Sequence, residues 1–193
     1  MAVTPLILRE TSGGISSYRI EDEMLRQREI QCVGLIDDAA ADALCLQLRY
    51  LQRENPDAEI TLYINSPGGA VQSGLAVYDV MKAVSCPIRT VCLGLAASMG
   101  ALLFVAGDQR DMLPHFQVMI HDPLTLAQPG GSALELKALS DNLMRIRDII
   151  GQVLAEHTGK TLEEVLRVTA HDSYYEADEA VAFGLADRVI TAL

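Results

Sequence analysis

Apolar segments of strand length alternate with segments of helical periodicity along most of the chain, and this alternation limits the folds open to it. The predicted strands cover residues 29–36, 59–65, 88–93, 116–121 and 186–190. The predicted helices cover residues 38–53, 71–84, a segment from about 98, 132–157, a segment from 161, and 177–183. Strands that alternate with helices form α/β domains around a mostly parallel sheet. We therefore expect an α/β fold in a single domain of residues 1–193.

Two of the predicted helices begin at residues that favour helix starts. Asp38 is the predicted N-cap of the first helix, where leucines recur at helical spacing. Thr161 and Glu164 form a capping box for a later helix, because each side chain can bond the backbone N–H of the other residue. Both signals support the boundaries of these helices.

The formal net charge of −11 excludes one large class of partners. Nucleic-acid binding requires clustered lysine and arginine to neutralise phosphates, so we expect no nucleic-acid partner.

The four cysteines form no CxxC pair and no metal-ligand spacing; they are Cys32, Cys45, Cys86 and Cys92. This spacing predicts reduced thiols and no metal site. Reduced thiols, together with an amino-terminal sequence that lacks a basic and apolar leader, favour a cytoplasmic location.

Residues 90–107 form an uncharged run of the minimum length for a membrane-spanning helix. Three glycines and an Ala-Ala-Ser step interrupt the run, and its first residues are strand-like. A buried strand that leads into a buried helix explains this pattern better than a membrane segment. We therefore expect no membrane association.

The segment "TGKT" at residues 158–161 is similar to the end of a phosphate-binding loop. Leu154, however, occupies the position at which GxxxxGK[ST] requires its first glycine. The segment also joins two predicted helices and does not follow a strand. The chain is therefore not expected to bind ATP through this motif.

Two turns rich in glycine and small residues each join a predicted strand to a predicted helix. They are "NSPGGAV" at residues 65–71 and "GLAASMG" at residues 94–100. Free backbone N–H groups at a helix N-terminus favour negative charge. Ser98 lies in the second turn as in a nucleophile elbow, although Ala96 occupies the first glycine position of G-x-S-x-G. Because a serine at a helix start is more often a cap, the pattern leaves both roles of Ser98 open.

A serine nucleophile requires a base, and the chain contains four histidines. His157 ends an amphipathic helix and is predicted to be solvated, while His115 and His171 lie in a loop and a polar turn. His121 ends an apolar strand, and sites in α/β sheets are built at the carboxyl ends of strands. A lone histidine there is still more often structural, and no spacing rule selects an aspartate to orient it.

Six segments spanning nearly the whole chain carry a more specific signal. They are "LILRETSGGISSYRI", "YINSPGGAVQSGLAVYDVM", "CLGLAASMGALLFVAG", "LPHFQVMIHDPL", "LAEHTGKTLEEV" and "EADEAVAFGLADRVI". In this order the segments resemble the ClpP family, the proteolytic subunits of the ATP-dependent Clp proteases. The resemblance implies Ser98 as nucleophile, His121 as general base and Asp172 as the orienting acid. It also implies that the backbone N–H groups of Gly69 and Met99 form the oxyanion hole.

The same resemblance implies an architecture and partners. The fold would be the ClpP/crotonase-like fold of repeated strand–strand–helix units, with an axial segment at about residues 1–18 and a helix-strand handle at about 122–158. Seven subunits would form a ring, and two rings would stack into a tetradecamer that encloses the active sites. An AAA+ unfoldase of the ClpX, ClpA or ClpC type would use ATP to feed in unfolded proteins, so this chain itself would need no cofactor.

Three features depart from the family pattern. The handle strand begins "PLTLAQPGG" at residues 123–131, where relatives usually have "PLGG", so that Thr125-Leu126 replaces the glycines and Pro129 removes a backbone donor. Ser173 stands where many relatives carry an arginine that contacts the opposite ring. The expected hairpin at residues 107–113 is shorter than in typical relatives.

Two other functions are consistent with parts of this pattern. A crotonase-type acyl-CoA enzyme shares the fold and the oxyanion hole, although it does not need the Ser98, His121 and Asp172 motifs. A non-catalytic or weakly active ring subunit of a mixed barrel is the other alternative, favoured by the altered handle. We expect a serine endopeptidase that hydrolyses unfolded proteins.

Overall fold

The computed structural model describes residues 5–125 and 130–193. Strands and helices alternate through most of this part of the chain. In chain order the elements are β1 (Leu6–Thr11), β2 (Gly14–Arg19), α1 (Ile20–Arg26), β3 (Glu29–Val33), α2 (Asp38–Glu54), β4 (Ile60–Ser66), α3 (Val71–Ala83), β5 (Ile88–Ala97), α4 (Met99–Val105), β6 (Gln109–Met112), β7 (Gln117–Ile120), α5 (Ala133–Thr158), α6 (Leu162–Thr169), β8 (Ser173–Glu176), α7 (Ala177–Phe183) and β9 (Arg188–Val189).

The main sheet is mostly parallel. Strands β3, β4, β5, β6 and β9 are neighbours in this order, and each pair of neighbours is parallel. Strand β7 pairs in parallel with the carboxyl-terminal part of β5, and β8 pairs with β7 in the antiparallel direction. This arrangement confirms the mixed α/β fold class that the alternation of strands and helices predicts.

Helix α4 lies in the middle of the packing, against strands β4, β5 and β7 on one side and helices α3 and α5 on the other. All seven residues of α4 are buried. The uncharged run at residues 90–107 is therefore the end of β5 followed by α4, a buried strand that leads into a buried helix. Across residues 5–125 and 130–193, we find no helix with the length and apolarity needed to cross a membrane.

The amino-terminal residues form a hairpin that the sequence pattern does not predict. Strands β1 and β2 pair in the antiparallel direction, and Gly14 in their turn has a φ of 113°. Nine of the twelve residues in the two strands are exposed and none is buried, so no alternation of apolar and polar residues marks them in the sequence. The side chains of Arg9 and Glu23 approach to 2.5 Å and connect the hairpin to α1.

Three local expectations are decided by the structure. The N-cap of α2 is Asp37 and not Asp38, because the Asp37 carboxylate accepts a hydrogen bond of 2.8 Å from the Ala40 N–H. The capping box of Thr161 and Glu164 is confirmed at the start of α6. Residues 107–113 do not form a hairpin, because α4 carries the chain back along the sheet before β6 begins, and β6 is then parallel to β5.

Candidate active site

Ser98 occupies a sharp turn between β5 and α4. Its backbone has φ 54° and ψ −120°, a region that residues other than glycine rarely adopt. The Ser98 N–H donates a hydrogen bond of 2.8 Å to the Met119 carbonyl on β7, which holds the turn against the sheet. A strained strand-to-helix turn of this kind directs the serine hydroxyl away from the helix axis.

The hydroxyl of Ser98 is directed at His121. The distance from Ser98 Oγ to His121 Nε2 is 2.9 Å, which is a normal hydrogen bond. Ser98 occupies the N-cap position of α4, but its side chain makes no capping hydrogen bond to the described residues of that helix. Of the two roles that the sequence pattern leaves open, the geometry disfavours the cap.

The pairing of strands explains why these two residues meet. Strands β5 and β7 are parallel neighbours, with Ala97 in register with Met119. Ser98 directly follows β5, and His121 directly follows β7. Both side chains therefore lie at the carboxyl edge of the sheet, where α/β proteins build their sites.

Asp172 approaches the other nitrogen of the imidazole. Strand β8 is antiparallel to β7 with Ser173 opposite Ile120, so that Asp172, just before β8, reaches His121. The distance from Asp172 Oδ1 to His121 Nδ1 is 3.3 Å. The Asp172 side chain is 61% exposed, whereas that of His121 is only 15% exposed. The structure thus brings together the three side chains that the sequence singles out, in the order hydroxyl, imidazole, carboxylate.

The turn "SPGG" packs closely against Ser98. Gly68 has a φ of 94°, and a Cβ at this position would lie 2.7 Å from Ser98 Cβ and 3.0 Å from the Met99 nitrogen. A Cβ on Gly69 would lie 2.2 Å from the Ile36 carbonyl oxygen. Gly69 and Met99, the two predicted oxyanion donors, therefore belong to backbone segments on either side of this contact. The sequence motif points to Gly69 as an oxyanion donor, but it does not single out Gly68, the first glycine of "SPGG", as part of the site.

An apolar pocket opens beside Ser98 and His121. Helices α3, α4 and α5, the end of β7 and the residues after it form its walls, which comprise Val71, Met99, Leu102, Ile120, Pro123, Ile150 and Leu154. The pocket has a volume of only about 20 Å³, so a substrate side chain could enter it only if these walls moved apart. Arranged in this way, the hydroxyl and the imidazole at the mouth of the small pocket can transfer a proton between them.

The remaining histidines do not join this site. His115 and His171 are exposed. The prediction that His157 is solvated is wrong: its ring is half-buried and lies 6.0 Å from the Tyr78 ring in an edge-to-face arrangement. The ring is half-buried because the end of α5 packs against α3, and the periodicity of a single helix does not reveal such packing.

The cysteines do not provide an alternative nucleophile at the sheet. All four are free, and Cys32 and Cys92 are buried. Burial raises the pKa of both thiols to about 11, so they remain protonated near neutral pH. Within the described ranges 5–125 and 130–193, acidic, cysteine and histidine side chains form no cluster able to hold a metal ion.

Two departures from the family pattern can be placed only in part. Ser173 lies at the start of β8, and its hydroxyl donates a hydrogen bond of 2.7 Å to the Val168 carbonyl of the same chain. Leu126 and Pro129, the altered residues of the handle strand, lie outside the described residues.

Comparison with known protein families gives a match that spans almost the whole chain. The model of the family described as Clp protease matches residues 12–192. The matched range includes both glycine-rich turns, the strand that ends at His121 and the segment that carries Asp172. The mixed α/β fold with its mostly parallel sheet agrees with this family.

Proposed function

Because the chain belongs to the Clp protease family, we propose that it is a serine endopeptidase whose nucleophile is Ser98. The family establishes a peptidase function, and the residues that perform the hydrolysis are our assignment. The observation that carries it is the 2.9 Å contact between Ser98 Oγ and His121 Nε2 at a strained turn. A serine that only capped a helix would not need this strain or this partner.

In the proposed mechanism, His121 Nε2 takes the proton of Ser98 Oγ while Oγ attacks the carbonyl carbon of the scissile peptide bond. The C–N bond of the tetrahedral intermediate then breaks, and the leaving amine takes the proton from His121. Water then attacks the acyl carbon while His121 takes its proton, the ester C–O bond breaks, and His121 returns the proton to Ser98 Oγ. Asp172 would accept the Nδ1–H of His121, which selects the tautomer and stabilises the imidazolium.

The negative charge of the tetrahedral intermediate needs hydrogen-bond donors. We assign this role to the backbone N–H groups of Gly69 and Met99. The close contact of Gly68, the neighbour of Gly69, with Ser98 and the Met99 nitrogen supports the assignment, since it keeps both backbone segments beside Ser98. One such donor typically contributes a factor of about 10²–10³ to the rate.

The residue types beside Ser98 and the family support a proposal about the substrate class. Because the side chains around the small pocket beside Ser98 are mostly apolar, we propose a substrate with an apolar side chain next to the scissile bond. We further propose that the substrates are unfolded proteins, that the chain works in stacked heptameric rings in the cytoplasm, and that an AAA+ unfoldase delivers the substrates. A crotonase-type acyl-CoA reaction would leave the contact between Ser98 and His121 without a role.

Labelling with a fluorophosphonate tests the proposed nucleophile. The reagent forms a covalent adduct with an activated serine, and peptide mapping by mass spectrometry locates it. We expect one adduct, on Ser98, together with loss of peptide hydrolysis in step with labelling. Two results would contradict the proposal. One is complete labelling of a different residue with full peptidase activity, and the other is an active preparation in which Ser98 carries no adduct after treatment.

A second experiment tests the delivery of substrates. The isolated protein should cleave short peptides with apolar residues and leave a stably folded protein intact. Addition of an AAA+ unfoldase with ATP should permit degradation of the folded protein, and a variant of the unfoldase that cannot hydrolyse ATP is the control. Digestion of the folded protein by this chain alone would contradict the enclosed-chamber proposal.

A further inference from the structure

Asp122, the residue that follows His121, is held by three hydrogen bonds. Its Oδ2 accepts a bond of 2.5 Å from Arg147 Nε, and its Oδ1 accepts one of 2.6 Å from Thr169 Oγ1. Its backbone N–H donates a third bond of 2.6 Å to the Thr169 carbonyl. Hydrogen bonds to an ionised carboxylate from a guanidinium are among the strongest in proteins.

The partners of Asp122 belong to two helices. Arg147 lies on α5, and its Nη2 also donates a hydrogen bond of 2.9 Å to the Leu166 carbonyl on α6. Thr169 is the last residue of α6 and is 3% exposed, so its hydroxyl has little access to water as an alternative partner. Asp122, Arg147 and Thr169, here called the Asp122 cluster, therefore join the end of β7 to α5 and α6.

The Asp122 cluster lies between the two segments that must be aligned for His121 to meet Asp172. Asp122 is one residue from His121, and Thr169 is three residues from Asp172 along the chain. The contact between Asp172 and His121 is long, at 3.3 Å, and the Asp172 side chain is mostly exposed. A long contact to a carboxylate that water also reaches contributes little to holding two segments together. The pairing of β7 with β8 ends at Ile120 and Ser173, and beyond that point the partly buried cluster can hold the two segments.

We propose that Asp122 is a positioning residue that, together with Arg147 and Thr169, sets the distance between His121 and Asp172. This inference rests on the proposed function, in which Asp172 orients His121. Since Arg147 lies on α5, the cluster also makes the alignment of the two residues depend on the position of α5.

The experiment compares peptide hydrolysis by the full chain in its native assembly for the wild type and for Asp122→Asn. The amide keeps the shape of the side chain but loses the charge that Arg147 binds. A displacement of a catalytic group by about 1 Å can cost about 100-fold, so we expect kcat to fall by about 10- to 100-fold. KM should change by less than about threefold, because the Asp122 side chain does not itself line the pocket.

Asp187→Asn is the matched control. Asp187 pairs with Arg110, whose guanidinium also bonds the carbonyls of His157 and Gly184, so this arginine resembles Arg147 in its contacts. The two carboxylates have similar exposure, 30% for Asp122 and 39% for Asp187. Both variants should lower the melting temperature, whereas only Asp122→Asn should lower kcat. A fall in melting temperature with wild-type kcat in Asp122→Asn would overturn the proposal.

A double-mutant comparison separates positioning from general damage. If Asp122 acts through the contact between His121 and Asp172, Asp122→Asn should cost less than about threefold in a chain that already carries Asp172→Asn. A full additional loss in that background would overturn the proposal. Should Asp122→Asn fail to fold, Thr169→Val and Thr169→Ser replace it, because serine keeps the hydroxyl and should retain kcat while valine should not.

Ser98→Ala, measured in parallel, keeps the two proposals distinct. If Ser98→Ala hydrolyses peptides as the wild type does, the proposed function fails. If Ser98→Ala is inactive and Asp122→Asn has wild-type kcat, only the positioning role fails.

Discussion

Gly68 and Ser98 are in such close contact that a Cβ added to Gly68 would lie 2.7 Å from Ser98 Cβ. The same Cβ would lie 2.8 Å from the Ala97 carbonyl oxygen, and both distances are too short for a methyl group. The glycine at position 68 is therefore required by the backbone of the Ser98 turn as well as by its own φ of 94°.

Gly68→Ala should move Ser98 away from His121. We expect peptide hydrolysis to fall by about 100-fold, because a displacement of about 1 Å of a reacting group has effects of this size. The control is Gly159→Ala at the end of α5. Gly159 also has a positive φ, of 70°, but a Cβ there meets no described atom within 4 Å. The control should lose about 1 kcal/mol of stability from backbone strain and keep its activity. Wild-type activity of Gly68→Ala would contradict this reading of the contact.

Ser98→Ala should remove hydrolysis without unfolding the protein. Its hydroxyl bonds His121 and does not cap the described N–H groups of α4, so its loss should cost less than about 1 kcal/mol of stability. The rate should fall by a factor of about 10⁴ or more, since the nucleophile is lost. Steady-state peptide hydrolysis and thermal unfolding measure the two effects. Retention of more than a tenth of the wild-type rate would exclude Ser98 as nucleophile.

His157 makes the stability of the fold depend on pH. Burial lowers the pKa of His157 below its ordinary value of 6.5, and the positive charges of Lys82 and Arg110 lower the pKa further. Below pH 6.5 the unfolded chain binds this proton more readily than the folded chain, so the contribution of His157 destabilises the fold as the pH falls. We expect His157→Gln to lose less stability than the wild type between pH 7.5 and 5.5.

Urea unfolding at these two pH values measures the effect of His157. His115→Gln is the control, because His115 is exposed and histidine is again replaced by glutamine. The control should keep the pH dependence of the wild type. If His157→Gln and the wild type lose equal stability over this range, burial of His157 is not the source of the pH dependence.

Asp111 holds three strands of the sheet together. It is fully buried, and its carboxylate accepts hydrogen bonds from Arg89 on β5 at 2.6 Å and Arg188 on β9 at 2.7 Å. Burial acts to raise the pKa of Asp111, but the hydrogen bonds from Arg188, Arg89 and Gln109 outweigh it, so the pKa lies below the usual 3.8. The carboxylate is thus charged in the folded protein at neutral pH.

Asp111→Asn should lower the free energy of unfolding by about 3 kcal/mol, because it leaves the partly buried Arg89 without its anion. Asp141→Asn is the control, since Asp141 forms an exposed pair with Lys137 on α5 and should change stability by less than about 0.5 kcal/mol. Urea unfolding at neutral pH compares the two. Equal effects of both substitutions would show that the buried pair contributes no more than a surface pair.

Local patterns in the sequence predict most elements of the fold. The periodicity of apolar residues identifies β3, β4, β5 and β7 and the long helices, and the capping box at Thr161 identifies the start of α6. These features depend on residues a few positions apart, whose interactions do not need the rest of the fold. The pattern does not identify β1, β2, α1, β6 or β8. Strands β1 and β2 are mostly exposed, and α1, β6 and β8 are only four to seven residues long, so they carry no clear periodicity.

The site depends on contacts between distant segments, and local sequence patterns predict it only in part. Local pattern draws attention to Ser98 and His121, and the resemblance of whole motifs names Asp172, but no spacing rule connects the three. Their meeting requires β7 to pair with β5 on one side and with β8 on the other. The direction of the Ser98 hydroxyl depends in turn on a backbone φ of 54°. Such a conformation persists only where surrounding packing holds it, and that packing exists only in the folded chain.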